Sequence, residues 1–157
     1  MKREILFRGF CPSENGKQII TLDGEDIRGD WVFGDLIHNI DCVKVREKET
    51  DIRCFLANRI AESYAVIPET IGQYTGLKDK NGKKIFEGDI VTGLFNHTDI
   101  IGHIVYGSDA TFFIERKGLY GIGLNNAEDW LEVVGNIHDN KELSKDLMKK
   151  ELKEKGE

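Results

Sequence analysis

The sequence predicts a mainly β protein, α+β at most. Short runs of alternating apolar and polar residues recur along the chain, which is the pattern of half-buried strands. Turn dipeptides separate several of these runs, among them Asn15-Gly16, Asp23-Gly24 and Asn81-Gly82. The 157 residues include 17 glycines and only 2 prolines. We therefore expect short strands joined by many tight turns.

The N-terminal half begins with three strand candidates, at residues 3–10, 18–22 and 31–37. Gly34 inside the third candidate predicts a bulge or a close backbone approach. Residues 41–64 are ambiguous, because the run that starts at residue 52 fits either a helix or strands. We favour strands at 51–57 and 64–67. Pro68 ends the second of these because proline has no N–H to donate.

The C-terminal half begins with a hairpin around Asn81-Gly82. A two-residue loop at this dipeptide would place Leu77 opposite Phe86 and Lys80 opposite Lys83. Five further strand candidates follow at regular spacing, which predicts a small barrel or sandwich. They span residues 90–95, 100–107, 111–117, 119–124 and 131–137.

One amphipathic helix is predicted at the C-terminal end, over about 140–154. Asp139 followed three residues later by Glu142 resembles a capping box. The helix would carry a narrow apolar stripe that either packs on the barrel or contacts another subunit. The stripe consists of Leu143, Leu147, Met148 and Leu152.

The charge distribution argues against a broad nucleic-acid surface. The chain carries 22 Lys and Arg against 28 Asp and Glu, a net charge of −6, and an acidic surface repels phosphate backbones. One short segment is basic, and we call it the basic tip. These lysines could contact an anion or a partner, or simply solvate an exposed hairpin. The basic tip consists of Lys78, Lys80, Lys83 and Lys84.

The sequence contains no recognisable catalytic constellation, so we expect no enzyme and no cofactor. The glycines at 118, 121 and 123 lack the spacing of a dinucleotide-binding loop. Glu87 and Asp89 would share one face of a strand and could act as acid and base. The alternative is that Asp89 accepts backbone N–H groups and fixes a turn.

We expect no disulfide framework and no metal site. The cysteine count is odd and contains no CxxC pair. His97 and His103 could face one another across a hairpin, but two histidines without a third ligand form a weak metal site. No apolar run follows the first residues or reaches the length of a membrane span, which predicts a cytoplasmic protein with no membrane partner. The cysteines are Cys11, Cys42 and Cys54.

Four segments resemble the YopX family of bacteriophage and prophage proteins. The longest is the ungapped run from Pro68 to Val91, PETIGQYTGLKDKNGKKIFEGDIV. The others are REILFR at residues 3–8, WVFGDL at 31–36 and VGNI at 134–137 with the following Glu142-Leu143. The match follows the family pattern in order over nearly the whole chain.

The resemblance implies a small, cytoplasmic, phage-encoded protein whose relatives have no assigned biochemical function. It also implies an SH3-like barrel that begins near residues 87–91, and it transfers no catalytic residue. We therefore predict an N-terminal β-rich subdomain at 1–75, an SH3-like barrel at 76–138, and a helix and tail at 139–157. The lysine-rich extension after Leu143 is not explained by the family pattern.

These observations favour a non-enzymatic module that binds a host or phage protein. The alternative is nucleic-acid binding through the basic tip and exposed aromatic side chains. We also predict a homo-oligomer, because strand edges and the stripe need cover; Leu143, Leu147 and Leu152 would pack either on the barrel or between subunits. Phe112 and Phe113 are adjacent in a strand and must point to opposite faces, so one of them needs a cover outside the barrel.

Overall fold

The computed structural model describes residues 4–20, 26–38, 43–46, 63–140 and 142–143. This part of the chain is mainly β, as predicted, with two antiparallel sheets. The chain divides into two compact units, Met1–Gln73 and Tyr74–Glu157. Within the described ranges, no helix has the length and apolar character needed to cross a membrane.

The first unit is an antiparallel sheet in the order β4-β3-β2-β1, and the first residues of β5 pair with β1. A short 3-10 helix, Pro68–Thr70, precedes β5. The strands are β1 (Phe7–Ile20), β2 (Asp26–His38), β3 (Val43–Arg46), β4 (Ser63–Ala65) and β5 (Gly72–Lys78).

The Asn15-Gly16 dipeptide does not form the predicted chain reversal. Pro12 and Lys17 both lie opposite Gly29 of β2, so the four residues between them bulge out of one continuous strand. The chain can resume the same strand because a bulge inserts residues on one side of the ladder only. The predicted turn at Asp23-Gly24 and the predicted strand at 51–57 lie outside the described residues.

The core of the first unit is centred on Phe10, which is fully buried. The 3-10 helix is fastened to it, because the Phe10 N–H donates to Thr70 Oγ1 at 2.8 Å and the Ile67 N–H donates to the Phe10 carbonyl at 2.9 Å. Gly9 is needed beside Val66, since a Cβ at residue 9 would lie 2.8 Å from the valine side chain. This packing holds the chain at Pro68, where the predicted strand ends.

The second unit contains a five-stranded antiparallel sheet in the order β10-β9-β8-β7-β11. A short helix, α1 (Ala127–Trp130), leads into the last strand. The remaining strands are β6 (Lys84–Phe86), β7 (Asp89–Phe95), β8 (Thr98–Tyr106), β9 (Phe112–Glu115), β10 (Ile122–Gly123) and β11 (Leu131–Asn136). The core combines side chains of this sheet with residues from β6 and from the segment after β10. It includes Val91, Ile104, Ile114 and Leu131 of the sheet, Ile85 of β6 and Leu124.

Two predicted features of this half are not settled by the described residues. The strands form a sheet and a hairpin, and their closure into an SH3-like barrel stays a prediction. Beyond Asn140 only Glu142 and Leu143 are described, and both are helical. Leu147 and Leu152 of the predicted stripe lie outside the described residues.

The predicted register of the β5–β6 hairpin is wrong. Tyr74, not Leu77, lies opposite Phe86, and Lys78 lies opposite Lys84. The loop is longer than two residues because the Asp79 N–H donates to the Lys83 carbonyl at 2.8 Å. Lys80 and Lys83 therefore belong to the loop and do not form a cross-strand pair.

The two histidines considered as metal ligands do not face one another. His97 lies in the β7–β8 turn, where Asn96 and His97 have φ values of 49° and 64°, as a type I′ turn requires. His103 lies opposite Ile90 on β7. Its Nε2 is 3.1 Å from a carboxylate oxygen of Glu115, its neighbour on β9.

Phe112 and Phe113 point to opposite faces of β9, and each is covered from within the second unit. Phe112 packs against the core. Phe113 lies against two glycines, because a Cβ at Gly107 or Gly121 would approach its ring to 2.8 Å or 2.6 Å. One of the two phenylalanines was predicted to need a cover, and the backbone of Gly107 and Gly121 covers Phe113.

Candidate functional site

An open groove of about 670 Å³ lies on the second unit. Its lining residues come from β5, from β9 and from the segment that joins β10 to α1. Polar and apolar side chains contribute in equal number to its lining, and a concave surface with a few convergent polar groups is a usual place for ligand binding. The groove is lined by Thr75, Leu77, Phe112, Leu124, Asn125 and Asn126.

The β5 wall is shaped by a bulge. Gly76 has a φ of 88°, a left-handed conformation that glycine adopts without a Cβ penalty. The Thr75 hydroxyl donates to the Ile85 carbonyl at 2.9 Å and accepts the Leu77 N–H at 3.2 Å. Thr75 is therefore occupied in fixing the bulge, while Leu77 remains 38% exposed.

Phe112, the aromatic side chain of the groove, packs against Tyr106, which does not itself line the groove. The centroids of Tyr106 and Phe112 are 4.9 Å apart. Phe112 is half-buried against the core, whereas Tyr106 is 51% exposed. Among the described residues, nothing forms a hydrogen bond with the Tyr106 hydroxyl, so it is available to a ligand.

The segment between β10 and α1 contributes two adjacent carboxamides to the groove. The Asn125 carbonyl accepts the Trp130 indole N–H at 2.9 Å, which fixes the loop to α1. Asn126 has a φ of 54° and its carbonyl accepts the Asp129 N–H at 2.9 Å. Both side chains are exposed, and within the described ranges neither side-chain amide forms a hydrogen bond. The backbone is thus held while both amides stay free to bind.

The lysines of the basic tip do not converge on one point. Lys80 Nζ is 2.8 Å from a carboxylate oxygen of Glu132. Lys84 Nζ lies 5.1 Å from the centroid of the Tyr74 ring. Lys83 belongs to the loop, and Lys78 is exposed on β5 opposite Lys84.

The basic tip is organised by a buried carboxylate that the sequence analysis missed. Asp79 is only 3% exposed. Its Oδ1 accepts the N–H groups of Asn81 and Lys83, each at 2.9 Å, and its Oδ2 accepts the Val133 N–H at 2.9 Å. Aspartate two residues before Asn81 is a recognisable turn signal, but its bond to Val133 joins distant parts of the chain.

Burial opposes ionisation of Asp79, yet the three backbone N–H groups and the charge of Lys83 outweigh it and lower the pKa of its carboxyl. The carboxylate is therefore ionised at neutral pH. It acts as a structural acceptor that fastens the hairpin loop to β11.

Glu87 and Asp89 do not form an acid–base pair in an open site. Asp89 is 1% exposed and its Oδ2 accepts the Phe86 N–H at 2.8 Å. This confirms the alternative in which Asp89 fixes the turn into β7. Its carboxylate is directed to backbone and not to the groove.

The described residues contain no cluster of three His, Cys, Asp or Glu side chains that could hold a metal. Cys11 is a free thiol, and its pKa is raised by burial and by the nearby charge of Asp30. Cys42 and Cys54 lie outside the described residues.

The family assignment rests on a comparison of the sequence with family models. The model described as YopX protein matches residues 25–145. The chain belongs to the YopX family. All six residues that line the groove fall inside the matched range. No curated protein matches the sequence significantly.

Among solved structures, the chain is similar to protein EF1440 from Enterococcus faecalis. The two share 24% sequence identity with a TM-score of 0.47, over 90% of this chain and 99% of that chain.

Proposed function

We propose that this member of the YopX family is a non-enzymatic protein-binding module and that the groove is its binding surface. The free amides of Asn125 and Asn126, which line the same groove as the exposed Leu77 and the half-buried Phe112, carry this proposal. Apolar surface gives a partner something to bury, while unpaired amides orient its main chain. The lining residues include no acid, base or nucleophile other than the hydroxyl of Thr75, which is already hydrogen-bonded.

The family resemblance supports a phage or prophage origin and a role in the bacterial cytoplasm. The partner in this proposal is a host or phage protein. The groove is on the scale of a small-ligand pocket, so it would accept a short segment of that partner. Contacts outside the groove would then decide how tightly the whole partner is held.

Nucleic-acid binding through the basic tip remains the alternative. Its support is the exposed Lys78, which forms no ion pair within the described residues. Against it, Glu132 offsets the charge of Lys80, and the whole chain carries a net charge of −6. Phosphate binding needs several lysines aimed at one backbone, and the tip does not supply that arrangement.

Affinity purification with matched variants tests the protein-binding proposal. Leu77→Ser removes apolar surface from the groove, and Leu94→Ser makes the same change at a side chain that is 58% exposed and does not line it. Lysates of the bacterium that carries the gene would be passed over the wild-type protein and both variants. Bound proteins would be quantified by mass spectrometry.

We expect a stoichiometric partner that is retained by the wild-type protein and by Leu94→Ser but depleted by Leu77→Ser. Equal capture by all three proteins, or no stoichiometric partner at all, would contradict the role of the groove. Thermal unfolding of both variants serves as the control for folding, since exposed positions usually tolerate substitution.

A further inference from the structure

We propose that Asn81 is a site of spontaneous deamidation and that the buried carboxylate of Asp79 controls the rate of the reaction. The site lies in the β5–β6 hairpin loop and does not depend on the function proposed for the groove. Three observations carry the inference: the Asn81-Gly82 dipeptide, the exposure of both residues, and the hydrogen bonds that hold the backbone around them.

Asparagine is a thermolabile residue because its side chain can react with the backbone nitrogen of the next residue. Here the Gly82 nitrogen would attack Cγ of Asn81 and give up its proton to hydroxide or a buffer base. A bond forms between Cγ and this nitrogen, the bond from Cγ to Nδ2 breaks, and Nδ2 takes up a proton and leaves as ammonia. Water then opens the cyclic imide at either carbonyl, which yields an aspartate or an isoaspartate.

The residues of the loop tip favour this attack. A side chain on the following residue would shield its backbone nitrogen, but residue 82 is a glycine. Both Asn81 and Gly82 are exposed, so water and base can reach them. Among the described residues, no atom lies within 4 Å of the position that a Cβ on Gly82 would occupy, and nothing forms a hydrogen bond with the Asn81 side-chain amide. The carboxamide can therefore rotate toward the nitrogen of Gly82.

The backbone hydrogen bonds of the loop oppose the same reaction. The Gly82 N–H donates to the Asp79 carbonyl at 3.0 Å, and this bond must break before the nitrogen can lose its proton. The N–H groups on either side, from Asn81 and Lys83, both donate to Asp79 Oδ1 at 2.9 Å. The loop must therefore open first, and the reaction rate follows the fraction of molecules in which it is open.

Asp79 makes this opening rare because its carboxylate is also anchored outside the loop. Asp79 is only 3% exposed, and its Oδ2 accepts the Val133 N–H at 2.9 Å. The Lys80 N–H donates to the Leu131 carbonyl at 2.9 Å, which adds a second bond to β11. Hydrogen bonds to an ionised carboxylate are stronger than those between neutral groups. Opening the backbone around Asn81 thus disturbs bonds within the loop and to β11.

Deamidation would loosen the loop that Asp79 holds. Either product places a carboxylate at residue 81, two residues from the ionised carboxylate of Asp79, and like charges repel. An isoaspartate also routes the main chain through the side chain, which lengthens the loop between Asp79 and Lys83. The N–H groups that Asp79 accepts would then lose their alignment. Deamidated protein should therefore unfold at a lower urea concentration than the intact protein.

Peptide mapping by mass spectrometry tests this inference on the full chain. The protein is incubated at mildly alkaline pH, once in buffer and once in guanidinium chloride, and then digested. Peptides that contain Asn81 are analysed apart from those that contain Asn15, because Asn15-Gly16 is the other Asn-Gly pair of the sequence. We expect Asn81 to become an acid slowly in buffer and faster in guanidinium chloride. Asn81→Gln, whose longer side chain disfavours ring closure, should leave residue 81 unmodified.

Asp79→Asn isolates the contribution of the carboxylate, and Asp99→Asn makes the same change at an exposed residue of β8. We expect Asn81 to deamidate about tenfold faster in Asp79→Asn, the effect of losing one hydrogen bond to a charged group. Asp99→Asn should deamidate at the wild-type rate. The asparagine introduced at residue 79 is followed by Lys80, whose side chain hinders the same attack there.

Hydrogen exchange keeps the inference testable if Asp79→Asn does not fold. The N–H groups of Asn81, Gly82 and Lys83 should exchange slowly in the wild-type protein, although the loop is exposed. Fast exchange of all three would overturn the role of Asp79. Equal deamidation rates in wild type and Asp79→Asn would overturn it as well. An Asn81 that stays intact both in buffer and in guanidinium chloride would overturn the modification site itself.

Discussion

At the residue scale, Asp79 shows how one side chain can determine the shape of a loop. Its two oxygens accept three backbone N–H groups, two from its own loop and one from Val133 of β11. The Lys80 N–H donates to the Leu131 carbonyl at 2.9 Å, next to this contact. The hairpin loop therefore occupies part of the outer edge of β11, which reduces the risk of unwanted strand pairing there.

Asp79→Asn should destabilise the protein by about 1–3 kcal/mol at neutral pH, the cost of an unsatisfied buried group. An asparagine has one acceptor oxygen and would direct its NH₂ group at a backbone N–H, either in the loop or at Val133. Urea unfolding measures the loss. Asp99→Asn is the control, since Asp99 is exposed on β8, and an equal loss in both variants would contradict the assigned role.

The same carboxylate predicts a pH dependence. Because folding lowers the pKa of Asp79, its contribution is fully present above the pKa of the unfolded chain and is lost as the pH falls through the folded-state pKa. The free energy of unfolding of the wild-type protein should therefore decrease below about pH 4. That of the Asp79→Asn variant should decrease less over the same range. Urea unfolding from neutral to acidic pH would show the difference as a flatter curve for the variant.

At the element scale, the sequence was most informative where strands are short and regularly spaced. Runs at 90–95, 100–107 and 131–137 correspond closely to β7, β8 and β11, because period-two alternation reports directly on a half-buried strand. Register was harder to predict. The β5–β6 pairing depends on the bulge at Gly76 and on a bond from Asp79 to a residue more than fifty positions away, which no local pattern contains.

The candidate site also combines features that a local sequence pattern can predict with features that depend on distant contacts. Leu77, Phe112 and the asparagines are ordinary residues in the sequence, and only the packing of β5, β9 and the α1 segment brings them together. The lysines drew attention as a local charge cluster, but the structure pairs Lys80 with Glu132 and sets Lys84 against Tyr74. A local pattern can identify charge, whereas a groove depends on contacts between distant segments.

Gly121→Ala should destabilise the β9–β10 region by about 1–3 kcal/mol, the usual cost of overpacking. A Cβ at residue 121 would lie 2.6 Å from the Phe113 ring, which would have to move away from its cover. Gly123→Ala is the matched control, because the nearest atom to its Cβ, the side-chain nitrogen of Asn125, would be 3.9 Å away. In thermal unfolding, Gly121→Ala should lower the melting temperature more than Gly123→Ala does. Equal melting temperatures would contradict the packing of Phe113 against Gly121.

At the scale of the whole molecule, large apolar side chains remain at the surface. Tyr120 is 94% exposed, Leu94 58% and Leu119 47%. Apolar surface that stays open to water is often covered by a partner. Phe113, by contrast, is already covered by Gly107 and Gly121, so it gives no reason for self-association. The exposed apolar surface that favours a second subunit therefore lies in the β9–β10 loop and not on the face of β9.

We expect the protein to form a homo-oligomer at micromolar concentration, because burying Leu119 and Tyr120 between copies would remove apolar area from water. Sedimentation velocity measures this as a species heavier than the 17.8 kDa chain. Leu119→Ser with Tyr120→Ser should shift the distribution toward the monomer, whereas Leu77→Ser in the groove should leave it unchanged. A single 17.8 kDa species for the unmodified protein would contradict the expectation. An oligomer that dissociates only with Leu77→Ser would place the interface in the groove, where it would compete with the proposed partner.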